Sequence, residues 1–258
     1  MTSENTNGWI RTQQDGAVLT VTLDRPDQLN AQTPATWSAL AAIGSSLDDD
    51  VRVVVVRGAG RSFSAGLDRA MFSAEPGVAG GLGDLGRRST AEAQEQIREY
   101  QAGFRWLRRP GIVSVAAVRG HAIGAGCQLA LACDLRILAD DAQLRLPEAT
   151  LGLVPDLTGT STLVELVGYS RALEICLTGR AVMAAEAHAI GLANLVVPAA
   201  ELDAAVMDLI AALTAAPVNA SRATAELVRS AVRNDFATQD AAERAAQVLR
   251  LQELVGGR

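Results

Sequence analysis

Four short runs set the frame within which this 258-residue chain can fold. AVLTVTL (17–23), VRVVVVRG (51–58), GIVSVAAVRG (111–120) and DLRILAD (134–140) are β-rich and end in turn residues, as strands do. Helical patterns separate them. TPATWSALAAIGSSLDDD carries an apolar stripe, STAEAQEQIREYQAGFRWLRR is amphipathic, and GCQLALAC reads as a short buried helix entering the next strand. Strands alternating with helices predict an α/β core. From about residue 158 onward the pattern is helical apart from a brief ANLVVP strand. The organisation expected is therefore a β/α core over 1–198 and a helical region over 199–258. EPGVAGGLGDLG, with Gly77, Gly80, Gly81 and Gly83, is a candidate lid rather than a linker.

Charge and composition exclude several classes of function. A formal charge of −6 disfavours binding to a phosphate backbone, so no nucleic acid is expected as a partner. All 23 basic residues are arginine, which rules out a Schiff-base lysine and a P-loop lysine. Cys127, Cys133 and Cys176 are odd in number and flanked by aliphatic residues, as reduced core thiols of a cytoplasmic protein would be. With only His121 and His188 and no Cys-x-x-Cys, no metal site is expected. No apolar run of about 18 residues and no leader-like N-terminus is found, so neither a membrane span nor secretion is expected.

Three stretches carry chemistry. In RSFSAGLD (61–68), small residues follow an apolar strand and leave backbone N–H groups near Ala65 unshielded. In GHAIGAGCQLALACD (120–134), Gly124, Ala125 and Gly126 open a helix whose free N–H groups and positive dipole end suit a developing oxyanion. LPEATLGLVPDLTG (146–159) holds Glu148 and Asp156 eight positions apart among apolar, glycyl and prolyl residues. Gly152 and Pro155 forbid a regular helix between them, so any meeting of the two carboxylates must come from a bend. Asp156 also fits the N-cap of the helix that follows. VVVVRGAGRSF is no dinucleotide fingerprint, because its third glycine position is Phe63, and GRSFSAG lacks the glycine a serine nucleophile elbow needs.

The sequence resembles the crotonase superfamily, the enoyl-CoA hydratase/isomerase family, over nearly its whole length. The likeness runs through LDRPDQLNA (23–31), SFSAGLD, VRGHAIGAGCQLALACDLRILADDAQLRLPE, ALEICLTGR (172–180) and AAEAHAIGLANLVVP (184–198). The resemblance implies a spiral of ββα turns with a helical trimerisation region, and an acyl-CoA substrate. No cofactor beyond the substrate's coenzyme A is implied. It places the two oxyanion-hole amides on Ala65 and Ala125. It puts Gln28, Leu29, Asn30, Gly66, Leu67 and Asp68 along the CoA groove, and suggests a homotrimer or a dimer of trimers. Hydratases of the family hold their water between two glutamates, and those positions are Gln128 and Glu148 here. Glutamine cannot exchange a proton near neutral pH, so hydration is expected to be weak. The Glu148-to-Asp156 spacing is similar to that of dienoyl-CoA isomerases, which favours double-bond migration with those two residues as the acid–base pair. Hydration of a 2-enoyl-CoA and non-catalytic acyl-CoA binding are the alternatives.

Overall fold

The computed structural model describes residues 2–5, 9–73 and 78–256, so Gly77 of the expected lid lies outside the described residues. Among the described residues, ten strands build two sheets. β1 (Thr2–Asn5), β2 (Ile10–Asp15), β3 (Val18–Leu23), β4 (Val53–Gly58) and β5 (Val113–Val118) are followed by β6 (His121–Ile123) and β7 (Leu135–Ala139). β8 (Gln143–Arg145), β9 (Ala181–Met183) and β10 (Leu195–Val197) complete the set. The larger sheet runs β1-β2-β3-β4-β5-β7-β10, antiparallel up to β3 and parallel from β3 to β10. The smaller runs β6-β8-β9. Consecutive strands such as β5 and β6 enter different sheets, and this alternation makes the chain a spiral. The run 111–120 becomes β5 and ends in a corner at Gly120, whose φ is +56° and where a Cβ would lie 2.3 Å from the Arg61 carbonyl oxygen.

The unbroken valines of β4 follow from burial on both faces. Strand side chains alternate, so Val54 and Val56 enter the core beneath the helices, and Val53 and Val55 enter a second core. The α-helices among the described residues are α1 (Pro34–Ser45), α2 (Leu82–Leu85), α3 (Thr90–Arg105), α4 (Ala125–Ala132), α5 (Gly159–Val167), α6 (Tyr169–Thr178), α7 (Ala184–Ala189), α8 (Leu202–Ala215), α9 (Val218–Ala231) and α10 (Phe236–Gly256). Leu202, Val206 and Ile210 of α8 close the second core. α9 is tied back by Arg229, which donates to the Ile112 carbonyl at 2.6 Å and to Asp134 at 3.0 Å. α9 and α10 bury no residue, and Phe236, Leu254 and Val255 stand exposed. No helix among the described residues is long and apolar enough to cross a membrane.

The α1–α3 contact carries side chains to the candidate site. α3 starts with a capping box in which Ser89 accepts from the Glu92 N–H and the Glu92 carboxylate accepts from the Ser89 N–H. Its buried face presents Tyr100 and Phe104 to Trp37 of α1, with ring centroids 4.8 and 6.3 Å away. Gly103 makes this approach possible, because a Cβ there would lie 2.5 Å from the Trp37 carbonyl oxygen. Helix propensity alone would have Gly103→Ala stabilise α3 by about 1 kcal/mol. We expect the opposite, a loss of about 1–3 kcal/mol from overpacking, measured by urea unfolding.

Candidate active site

The loop 61–68 leaves β4 and is held from two sides. Ser64 N–H donates to the His121 carbonyl and Ile123 N–H to the Ser64 carbonyl, at 2.8 and 3.0 Å. On the other side the Ala65 N–H donates to the Leu29 carbonyl at 2.8 Å, so that amide is spent within the protein. This corrects the expectation that Ala65 supplies an oxyanion donor. One residue later the pairing changes phase. Gln32 donates to the Gly66 carbonyl at 2.7 Å and Asp68 donates to the Gln32 carbonyl at 2.8 Å, which turns the Leu67 N–H away from that neighbour. Gly66, with φ +87°, permits the change, and a Cβ there would meet the Ile123 carbonyl oxygen at 2.4 Å. The same construction places the Gly66 Cβ position 3.5 Å from the Ala125 nitrogen, so the two segments are pressed together. Neither the Leu67 N–H nor the Ala125 N–H, at the first position of α4, has an acceptor among the described residues. Both residues line a cavity of about 550 Å³.

The sequence reading missed Leu67 as a donor because the phase of hydrogen bonding depends on the backbone at Gly66. It also treated Asn30 as a CoA contact. The Asn30 side chain is 2% exposed and fully engaged, donating to the Ala59 and Ser62 carbonyls and accepting from the Arg25 N–H. It holds Leu29 and itself at φ +50° and +56°, a conformation that Leu rarely adopts and Asn accepts more readily, and so shapes the loop that receives the Ala65 amide. Gln28 is exposed beside it and Leu29 is half-buried. Asp68 pairs with Arg25, whose guanidinium also lies 5.4 Å from the Trp9 ring centroid. The Ala70 N–H and then Arg25 hold the Asp68 carboxyl below its ordinary range, against the effect of burial.

The opposite wall of the cavity comes from 147–157. Glu148 opens a single 3-10 turn that ends at Gly152 in the left-handed region, and the chain then bends back, bringing Glu148 and Asp156 to the same cavity. The bend expected from Gly152 and Pro155 is thus present. Asp156 is not a helix cap: the N-cap of α5 is Thr158, and no side chain caps it. Asp156 is fixed instead through its carbonyl, which accepts from Gln101 Nε2 of α3 at 2.7 Å. Nothing in the polar run AQEQIREYQ singles out Gln101 in advance.

Gln128 links the two walls. Its Oε1 accepts from the Leu157 N–H at 2.7 Å and the Gly159 N–H at 3.4 Å, so its Nε2 must face Glu148, donating to Oε1 at 2.9 Å. Glu148 is 8% exposed, and its Oε2 is buried with no hydrogen-bond partner. Burial pushes the Glu148 carboxyl above its ordinary pKa, opposed by backbone and Gln128 hydrogen bonds and assisted by the charge of Asp156. Burial also raises Asp156, against its own backbone N–H. The arrangement offers two proton-exchanging carboxyls and two free amides around one largely apolar cavity. Cys127 is buried with its thiol pushed up, which removes it as a nucleophile, and His121 accepts or donates only to Ser62 at 2.9 Å.

A cavity of about 550 Å³ lined by two free backbone amides and two carboxyls, with the Gly124 Cβ position 3.6 Å from Glu148 Oε1, is set in a spiral of the crotonase type. The chain belongs to the enoyl-CoA hydratase/isomerase family, whose model matches residues 13–253. It is 33% identical to the peroxisomal Δ(3,5)-Δ(2,4)-dienoyl-CoA isomerase of Arabidopsis thaliana over 75% of this chain and 70% of that one. It is also 33% identical to the short-chain-enoyl-CoA hydratase of Clostridium acetobutylicum, over 74% and 69%. A protein of Thermobifida fusca YX solved in complex with acetoacetyl-CoA is 53% identical, with a TM-score of 0.90 over 95% of each chain.

A carboxyl whose pKa is raised on folding adds stability below its unfolded pKa, and that contribution is lost as pH rises through the folded value. Glu148→Gln should therefore raise the melting temperature at pH 7–8. The gain should vanish as pH falls below the ordinary carboxylate value of about 4.3. Scanning calorimetry across pH 4–8 checks this, and a gain independent of pH would contradict it.

Proposed function

We propose that the protein moves double bonds in acyl-CoA thioesters, with Glu148 and Asp156 exchanging protons at different carbons of one acyl chain. The observation that carries this reading is that both carboxyls line the same cavity; the resemblance adds that Gln128 stands where hydratases of the family carry a second water-activating acid. In this mechanism the thioester oxygen lies between the Leu67 and Ala125 N–H groups, at the positive end of α4. Those donors bear the charge of the dienolate as it forms, and each is worth about 10²–10³ in rate. One carboxylate takes a proton from C2 and the other carboxyl delivers one further along the chain, so no water is needed. Raised pKa values suit both tasks: a base of higher pKa is stronger, and an acid of higher pKa stays protonated nearer neutral pH.

CoA would enter past Gln28, Leu29 and Asp68, with Gly66 and Leu67 at the thioester. The resemblance in this region supports a CoA groove, as does the acetoacetyl-CoA complex of the Thermobifida protein. The exposed apolar positions of α9 and α10 support assembly into trimers, or a dimer of trimers, as the state in which the enzyme works. Hydration of a 2-enoyl-CoA is the second reading, favoured by the hydratase names of several relatives.

Asp156→Asn keeps shape and removes the exchangeable proton. It should lower 3,5-dienoyl-CoA isomerisation by at least about 10²-fold, without lowering the melting temperature, and Glu148→Gln should abolish turnover. Gln128→Glu should raise hydration of a short 2-enoyl-CoA above the wild-type level by restoring a carboxyl pair. High wild-type hydration together with an active Asp156→Asn variant would overturn the isomerase reading in favour of the second.

A further inference from the structure

Behind residues 156–158 lies a second cleft of about 450 Å³ that proton transfer does not use. Leu157 faces the acyl cavity and Thr158 faces this cleft, so one turn of chain separates the two spaces. Three arginines line the cleft: Arg105 at the end of α3, Arg108 just beyond it, and Arg233 in the turn after α9. One carboxylate answers them, Glu165, at 3.2 Å from Arg108. Arg105 donates to the neutral Gln101 Oε1 at 2.9 Å, Arg108 Nε is buried without a partner, and the Arg233 guanidinium has no acceptor among the described residues.

Other arginines packed inside the fold end on backbone acceptors. Arg52 meets the Thr214 and Ala216 carbonyls, and Arg136 meets those of Leu192, Cys133 and Asp134. Arg233 is not free because its turn is loose: its N–H and that of Asn234 both donate to the Ser230 carbonyl, at 2.9 and 3.0 Å. The Asn234 side chain is tied to Gln239 at 3.1 Å. Facing it, Thr158 sits at φ +71°, a conformation a β-branched residue rarely adopts, and Thr158, Ser161 and Thr162 bring hydroxyls to the same cleft.

We infer that this cleft is an oxyanion site, taking one carboxylate or phosphate group between Arg105, Arg108 and Arg233, with the Thr158 and Thr162 hydroxyls as further donors. Planar guanidinium groups match the paired oxygens of either group, and the excess positive charge has no internal counterion. The site stands whether or not the isomerase reading holds. Inorganic phosphate titrated calorimetrically into the intact protein at constant ionic strength should bind saturably. Arg233→Gln should weaken that binding at least about tenfold. Turnover of an unsubstituted enoyl-CoA and the melting temperature should be unchanged, since Arg233 touches neither the acyl cavity nor the core. A second arm compares an enoyl-CoA bearing a terminal carboxylate. If its KM rises about tenfold in Arg233→Gln and phosphate competes with it, the anion is the far end of the substrate. If its KM is unchanged while phosphate binding is lost, the site serves a free anion. Absence of saturable phosphate binding, or binding that Arg233→Gln leaves intact, would overturn the assignment.

Discussion

The Gln128 carboxamide can satisfy two neighbours that a carboxylate could not satisfy together. Its oxygen accepts the Leu157 N–H and its nitrogen donates to Glu148, so α4, the Glu148 turn and the start of α5 are held in one relation. All eight residues of α4 are buried, and the helix that presents the Ala125 amide therefore also fixes the Glu148 carboxyl through Gln128. The hydrogen bond from Gln128 favours the ionised form of Glu148, against the larger effect of its burial. The Asp156 carboxyl is supported by its own backbone N–H rather than by a neighbouring side chain, and Gln101 holds the residue through its carbonyl. The two acids thus sit in different electrostatic settings within one cavity, the condition under which one can act as base while the other acts as acid.

The amide pair depends on a second constraint. Gly66 shifts the phase of pairing between 65 and 67, and only a residue without a side chain can pass the Ile123 carbonyl at that distance. The buried network of Asn30, Gln32, Ser64 and Trp37 holds the neighbouring chain against it, with Trp37 Nε1 donating to Gln32 Oε1 at 2.8 Å and Gln32 Nε2 to Ser64 Oγ at 3.0 Å. Fully satisfied networks of this kind fix one backbone arrangement, and a preorganised donor pair requires that.

Much of this was legible in the sequence where side-chain pattern decides structure. The runs at 17–23, 51–58 and 134–140 become β3, β4 and β7, and GCQLALAC becomes most of α4. The 111–120 run becomes β5 followed by its turn residues, while β6, which begins just beyond it at His121, has no signal of its own. β8 and β9 were missed because three-residue strands carry too few side chains to show a period. Glu148, Asp156 and Ala125 could be picked out because their chemistry lies in residue type or in a glycine-marked helix start. Leu67 could not, since its contribution is a backbone N–H and the side chain says nothing of which way that group points. Gln128 was legible as an absent acid, but its role as a clamp appears only when 128 and 157 are brought together by folding.

The central claim is that Glu148 and Asp156 serve different carbons of one acyl chain held at the Leu67 and Ala125 amides. Deuterium exchange into a bound 3,5-dienoyl-CoA in D2O, read by NMR at each carbon, tests it most directly. The account predicts exchange at two carbons in the wild type, with Asp156→Asn retaining one and losing the other. Exchange at both carbons surviving that substitution, or both being lost together, would contradict it.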